Sequence, residues 1–223
     1  MSKTNKLDRL IAIYIFCIAV SELMGSKTFA LATIGTFHLN ASMGIFVIPL
    51  IYAINDIITE VYGKDRAKSV IRSGLWVIFL IFLYSLLAIS LPSSARFLSS
   101  EKAYDLIFLK SARISAASLI AFASADFLDV YIFSRIKEKF GKNRLWLRTN
   151  VANIISEFVD TTVFITLAFY ALNLSFANNF SFLAGIILPY WLLKCFMSVI
   201  ETPFVYVGTS WLRIGEKENV RSA

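Results

Sequence analysis

The sequence predicts an all-α integral membrane protein, a six transmembrane helix bundle with both termini in the cytoplasm. Three observations carry that expectation. Of 223 residues, 57% are hydrophobic and only 17% charged, with mean hydropathy +0.69; soluble domains run at roughly 45–50% and about 25%. Six apolar stretches, near 7–25, 43–62, 72–91, 112–134, 149–172 and 183–210, approach or exceed the roughly 20 residues that cross about 30 Å of hydrocarbon. The basic residues, net +7, fall in clusters between these stretches. That is a topology signal rather than a nucleic-acid footprint, so no nucleic-acid partner is expected. No Gly/Ser linker interrupts the chain, and 1–223 reads as a single integral membrane domain.

The first span has a short apolar core, Leu10 to Val20, behind Lys3, Lys6 and Arg9. This resembles a signal peptide, but no A-x-A cleavage site follows, and the segment is expected to be retained. Glu22, at its outer edge, is expected to be solvated. The second span begins near Gly44 and closes on Asn55-Asp56-Ile57-Ile58-Thr59-Glu60-Val61-Tyr62-Gly63. Pro92-Ser93-Ser94 ends the third, and Ser99-Ser100-Glu101 is read as the cap of a short surface helix before the fourth. The sixth is longer than a crossing requires and is expected to tilt or run on into the cytoplasm.

Orientation follows from Lys and Arg counts. One side carries Lys3, Lys6, Arg9, Lys64, Arg66, Lys68, Arg72, Arg135, Lys137, Lys139, Lys142, Arg144, Arg148, Arg213, Lys217 and Arg221. The other carries Lys27, Arg96, Lys102, Lys110 and Arg113. The richer side is expected to face the cytoplasm.

Eight of the 15 acids lie in or at the edges of these spans: Glu22, Asp56, Glu60, Asp126, Asp129, Glu157, Asp160 and Glu201. The firmly intramembrane base is Lys194. An unpaired charge in hydrocarbon costs several kcal/mol or about that, so the carboxylates need protons, hydrogen bonds, a wet cavity or a ligand that donates to them. Asp56 and Glu60 are four apart, and Asp126 and Asp129 three apart. Asn153, Glu157 and Asp160 form one helical stripe, and Lys194 and Glu201, seven apart, face one way. Such stripes point into a bundle, towards one shared cavity in the cytoplasmic half up to the midplane, or towards helix contacts in which polar groups act as glue. Tyr52, Tyr62, Phe133, Phe164, Tyr190 and Trp191 are aromatic candidates for stacking, with core packing or an interfacial belt as the alternative.

Enzymatic chemistry finds no support. His38 stands alone in an outside loop, and no G-x-S-x-G, Ser-Lys or phosphate-cradling Gly-rich motif occurs. Cys17 and Cys195 have no disulfide or metal spacing, so neither a metal nor a cofactor is expected.

Pro49, then Asp56-x-x-x-Glu60-x-Tyr62-Gly63 and Arg66-Ala67, begin a more specific pattern. It continues through Asp129-Val130-x-x-Phe133, Asn153, Asp160-Thr161-x-x-Phe164, and Lys194 with Pro203 and Tyr206. In this order, from about residue 20 to 210, these residues resemble the bacterial queuosine-precursor transporter family, the vitamin-uptake-transporter-like group. Glu22 departs from it, since relatives often have an amide there, and Glu157 and Asp126 match no family role.

The resemblance implies a multi-pass protein of the bacterial inner membrane that imports 7-cyano-7-deazaguanine, 7-aminomethyl-7-deazaguanine or queuine for tRNA modification. The partners expected are that small molecule and the bilayer, with a homo-oligomer left open. Substrate contacts are expected from Asn55, Asp56, Asp129, Asn153, Asp160 and Lys194. Gate or coupling roles are expected from Glu60, Tyr62, Asp126, Glu157 and Glu201. A guanine-like edge offers an N–H and an adjacent NH₂ that one carboxylate accepts together, while its O6, or a nitrile, needs donors such as Lys194. The alternatives are a substrate-binding subunit of an energy-coupling-factor transporter, which needs partner subunits, and a structural membrane protein without substrate.

Overall fold

A computed structural model describes the backbone of residues 6–35, 37–140 and 145–221. The side chains of 34, 37, 64, 126, 127, 129–153, 197–205 and 212–221 lie outside the described residues. In chain order the elements are α1 (Lys6–Met24), β1 (Thr28–Ile34), β2 (Phe37–Ser42), a 3-10 turn (Met43–Phe46) and α2 (Ile48–Tyr62). The remaining helices are α3 (Lys64–Ser90), α4 (Glu101–Phe140), α5 (Leu145–Phe169) and α6 (Phe176–Arg221).

Among the described residues four stretches are long and apolar enough to cross a membrane: Met43–Tyr62, Asp65–Ser90, Glu101–Ala125 and Phe176–Phe196. By helix composition this is a multi-pass membrane protein. Helix α1 falls outside that set because Asp8, Arg9 and Glu22 crowd its 19 residues. The 40 residues of α4 and 46 of α6 correspond to roughly 60 Å and 69 Å at about 1.5 Å per residue. Both therefore tilt or project past the hydrocarbon. No separate surface helix precedes α4. Ser100 O accepts from Tyr104 N at 3.0 Å, and the Glu101 carboxylate reaches back to Ser93 N at 3.2 Å, so the helix starts there and runs on unbroken.

The all-α expectation misses one element, an antiparallel hairpin between α1 and α2. It pairs Thr28 with Ser42 and Ile34 with Phe37, with an irregularity between Ala30 and Ala32, and turns through Gly35 at φ 61°. Unpaired strand edges are tolerated at membrane depth only against protein or water. Here Ala41 is fully buried in a cluster with Ile165 of α5 and Leu183, Ile186 and Tyr190 of α6. The hairpin backbone presses on α6 at Gly185, where an added Cβ would lie 2.3 Å from the His38 carbonyl oxygen. Only hydrogen fits there.

A second core joins α1, α2 and α3 through Leu7, Leu10, Tyr14, Ile18, Ile54, Ile57, Ile58, Ala67 and Val70. A smaller one joins α4 to α5 through Ile114, Ala117 and Ala168. Gly63 makes the whole α2–α3 connection at φ 84°, ψ 168°, a region essentially confined to glycine. Arg113 of α4 donates to the carbonyls of Leu167 and Tyr170 at 2.6 Å each, answering acceptors that the last turn of α5 leaves without helical partners. Asn179 folds the α5–α6 connection by accepting from Ala171 N and donating to Ala171 O, both at 2.8 Å. Lys6 donates to Trp211 O at 2.8 Å and lies 5.0 Å from that ring's centroid, so the start of α1 and the late part of α6 share one end of the bundle.

Candidate functional site

Three helices converge on Lys194. On α5, Glu157 and Asp160 are three residues apart and therefore on one face. Lys194 Nζ lies 3.0 Å from Glu157 Oε2 and also pairs with Asp160 Oδ2. From α2, the Tyr52 hydroxyl donates to the Glu157 carboxylate, 3.1 Å from Oε1 and 3.3 Å from Oε2. The lysine side chain is 10% exposed, against 32% and 24% for the two acids. The base is thus sealed while its partners keep an open side. If all three ionise, the cluster carries one surplus negative charge. Beside it, Thr161 and Thr162 bury hydroxyl oxygens without a hydrogen-bond partner.

The hairpin reaches this cluster. Tyr190, one turn before Lys194 on α6, places its hydroxyl 3.0 Å from both O and Oγ of Ser42, and accepts from Ser42 N at 3.2 Å. Ser42 Oγ in turn caps the 3-10 turn by accepting from Gly44 N at 3.1 Å. One turn is about 5.4 Å of rise, so the hairpin's end is fastened about that far along α6 from Lys194.

Of the residues expected at the site, the structure brings Asp160, Lys194 and Glu157 together. Glu157, read from the sequence as a gate or coupling residue, bridges Tyr52 and Lys194. Asn55 turns towards α1, within hydrogen-bonding range of the Tyr14 hydroxyl, and its Oδ1 is buried without a partner. Asp56 and Glu60 are exposed on α2, and Tyr62 is half-buried. The side chains of Asp126, Asp129, Asn153 and Glu201 lie outside the described residues.

Among the aromatics, Tyr52 and Tyr190 are used by their hydroxyls. Trp191 packs edge-on against Phe158 with centroids 5.3 Å apart, and Phe164 against Phe169 at 6.4 Å. Phe133 lies outside the described side chains. Among the described residues no three His, Cys, Asp or Glu side chains come together as a metal site.

Glu22 requires a correction. Rather than being solvated, it is 3% exposed, wedged between α1 and α4, and accepts from Ser118 Oγ at 2.9 Å. The local sequence hides this, because the small residues that admit it are on α4: Ser111, Ala112, Ser115 and Ser118. His38 likewise belongs to β2, with Nδ1 3.2 Å from Thr33 Oγ1, rather than to a loop.

Residues 42–208 match the family model described as "Putative vitamin uptake transporter". The chain belongs to this family. It is a family of transporters and not of enzymes, which implies a small-molecule substrate. Two curated relatives are named "Probable queuosine precursor transporter". The one from Bacillus subtilis (strain 168) is 27% identical over 84% of this chain and 80% of its own length. That from Haemophilus influenzae (strain ATCC 51907 / DSM 11121 / KW20 / Rd) is 26% identical over 70% and 67%. A third, the "Queuosine precursor transporter" of Escherichia coli (strain K12), is 24% identical over 76% and 72%. No solved structure matches. The matched segment of this vitamin-uptake-type transporter holds Tyr52, Glu157, Asp160 and Lys194, while Glu22 and strand β1 precede it.

Proposed function

We propose that this protein is a bacterial inner-membrane importer of queuosine precursors, with 7-cyano-7-deazaguanine and 7-aminomethyl-7-deazaguanine as leading substrates and queuine as a further candidate. The observation that carries the reading is Lys194 held by Glu157 and Asp160 between three helices, in a chain similar to three proteins named for queuosine precursors. A 7-deazaguanine carries a donor edge, N–H beside NH₂, and an acceptor oxygen. A carboxylate complements the first in bidentate fashion, and an ammonium the second. Without ligand, the acids and Lys194 satisfy one another. A bound deazaguanine exchanges that ion pair for its own two edges, which keeps every buried charge partnered. The surplus negative charge suits an aminomethyl group.

In this reading all six helices cross the membrane, 1–223 is one domain, and both ends of the chain are cytoplasmic. The Lys and Arg asymmetry supports that orientation, as does the Lys6–Trp211 contact at one end of the bundle. Asp160 and Lys194 contact the substrate, joined by Asn55, Asp56, Asp129 and Asn153. Glu157 couples Tyr52 to the lysine, and Glu60, Tyr62, Asp126 and Glu201 belong to the cytoplasmic gate.

A thermal-shift series on purified protein tests the substrate class. The 7-deazaguanines are expected to raise the melting temperature, and adenine and unrelated vitamins to leave it unchanged. Stabilisation by an unrelated vitamin alone overturns the assignment.

A further inference from the structure

Among the described residues Glu22 is the buried acid that the Lys194 cluster does not use. It lies near the end of α1, 3% exposed, and its polar neighbours are two serines of α4. Ser118 donates to Oε1 at 2.9 Å. Oε2 has no hydrogen-bond partner, and neither has the hydroxyl of Ser115, which faces the same carboxylate and is fully buried. Among the described residues no charged group answers Glu22 from the elements packed on it. Along α4, Ser111 is spent on Leu23 O at 3.0 Å, and Arg113 turns to the end of α5. The 3-10 turn contributes Met43, Gly44, Ile45 and Phe46, and Lys27, beyond α1, is exposed.

An ionised carboxylate is an acceptor only, and a buried one without a counter-charge costs several kcal/mol or about that. A proton on Oε2 removes that charge and makes this oxygen a donor, for which the hydroxyl of Ser115, able to accept as well as donate, is the nearest side-chain candidate. A sodium ion fits less well, since the four side-chain oxygens here, two of Glu22 and those of Ser115 and Ser118, fall short of the roughly six or more that a hard oxygen-bound cation takes.

We propose that Glu22 is a proton-binding site at the α1–α4 seam, and that its proton is exchanged during the transport cycle. Ionising Glu22 requires water, so α1 and α4 must part there. That seam is the root of the hairpin: Met43 N donates to Lys27 O at 2.9 Å, and Gly44 abuts Ser21. The hairpin's other fastening, Ser42 to Tyr190, is one turn of α6 from Lys194. Loss of the proton and opening beside the cluster thus belong to one movement. The coupling rests on the importer reading above; the proton site does not.

Infrared difference spectra of the full chain in lipid nanodiscs at neutral pH test the site. The wild type is expected to show the C=O band of a protonated carboxylic acid that Glu22→Gln lacks. Ser115→Ala is expected to shift that band to higher frequency without removing it. Coincident wild-type and Glu22→Gln spectra overturn the proposal, as does a band that disappears when sodium replaces choline in the buffer.

In proteoliposomes, an inward proton gradient is expected to accelerate uptake of labelled 7-aminomethyl-7-deazaguanine several-fold by the wild type. Glu22→Gln is expected to retain counterflow exchange and lose that acceleration. Unchanged acceleration in Glu22→Gln overturns the coupling. A wild type that shows the band but carries no deazaguanine overturns the importer reading and leaves the proton site standing.

Discussion

Lys194 answers two carboxylates at once, and this sets the order in which substitutions at the cluster do harm. Lys194→Ala leaves Glu157 and Asp160 close together without a cation. Breaking a buried pair from one side costs about 3–5 kcal/mol, and because both acids are partly exposed the lower end, about 3 kcal/mol, is expected. Asp160→Asn leaves Glu157 at 3.0 Å to hold the lysine, so a loss nearer about 1 kcal/mol is expected. Denaturant unfolding in detergent reads both; equal losses would contradict the geometry. Asp160, Glu157 and Lys194 were legible as polar residues at helical spacing on apolar helices. What no spacing reveals is which stripe meets which. Tyr52 joining Glu157 and Ser118 joining Glu22 are contacts across 105 and 96 residues. Glu22, next to Ser21 and five residues before Lys27, has the local surroundings of an interfacial acid. Its burial comes from α4.

At the scale of elements, helices were legible from apolar length, and the hairpin was not. Thr28–Ser42 lacks a clean alternation of apolar and polar residues, because its partner surface is α6 rather than water on one face and core on the other. The residual signal was Gly35 among β-branched neighbours. The fit to α6 makes a testable contrast between two glycines. At Gly185 a methyl group meets the His38 backbone oxygen at 2.3 Å, whereas at Gly208 it meets the flexible Cδ1 of Ile57 at 2.3 Å. Gly185→Ala is expected to displace the hairpin and increase proteolysis between β1 and β2, while Gly208→Ala leaves cleavage near wild type. Equal cleavage would mean that β2 does not dock on α6. Gly63 belongs to the same scale. With φ 84° and ψ 168°, Gly63→Ala is expected to destabilise the α2–α3 corner by about 1–3 kcal/mol, read by thermal unfolding. This gives Tyr62-Gly63 a backbone reason in addition to any role at the gate.

For the whole molecule, hydropathy and the Lys/Arg asymmetry carry the membrane class, while the merging of 101–111 into α4 depends on contacts that the sequence does not display. Orientation is open to direct measurement. In a Cys17→Ala, Cys195→Ser background, Ser99→Cys lies in the exposed segment before α4 and Ser69→Cys on the exposed basic stretch of α3. A membrane-impermeant maleimide is expected to label Ser99→Cys in spheroplasts and Ser69→Cys only after lysis. The reverse pattern would invert the topology.

In the proposed transport step a 7-deazaguanine crosses the membrane by exchanging partners with the Asp160–Lys194 pair. Uptake of labelled 7-cyano-7-deazaguanine into bacteria lacking other importers tests it most directly, with expression and folding matched between variants. The wild type is expected to accumulate the label, and Asp160→Ala and Lys194→Ala to lose about ten-fold or more, the effect of removing a charge-assisted hydrogen bond of about 1.5–3 kcal/mol. Uptake that survives both substitutions unchanged would rule out the Asp160–Lys194 pair as the substrate's partner.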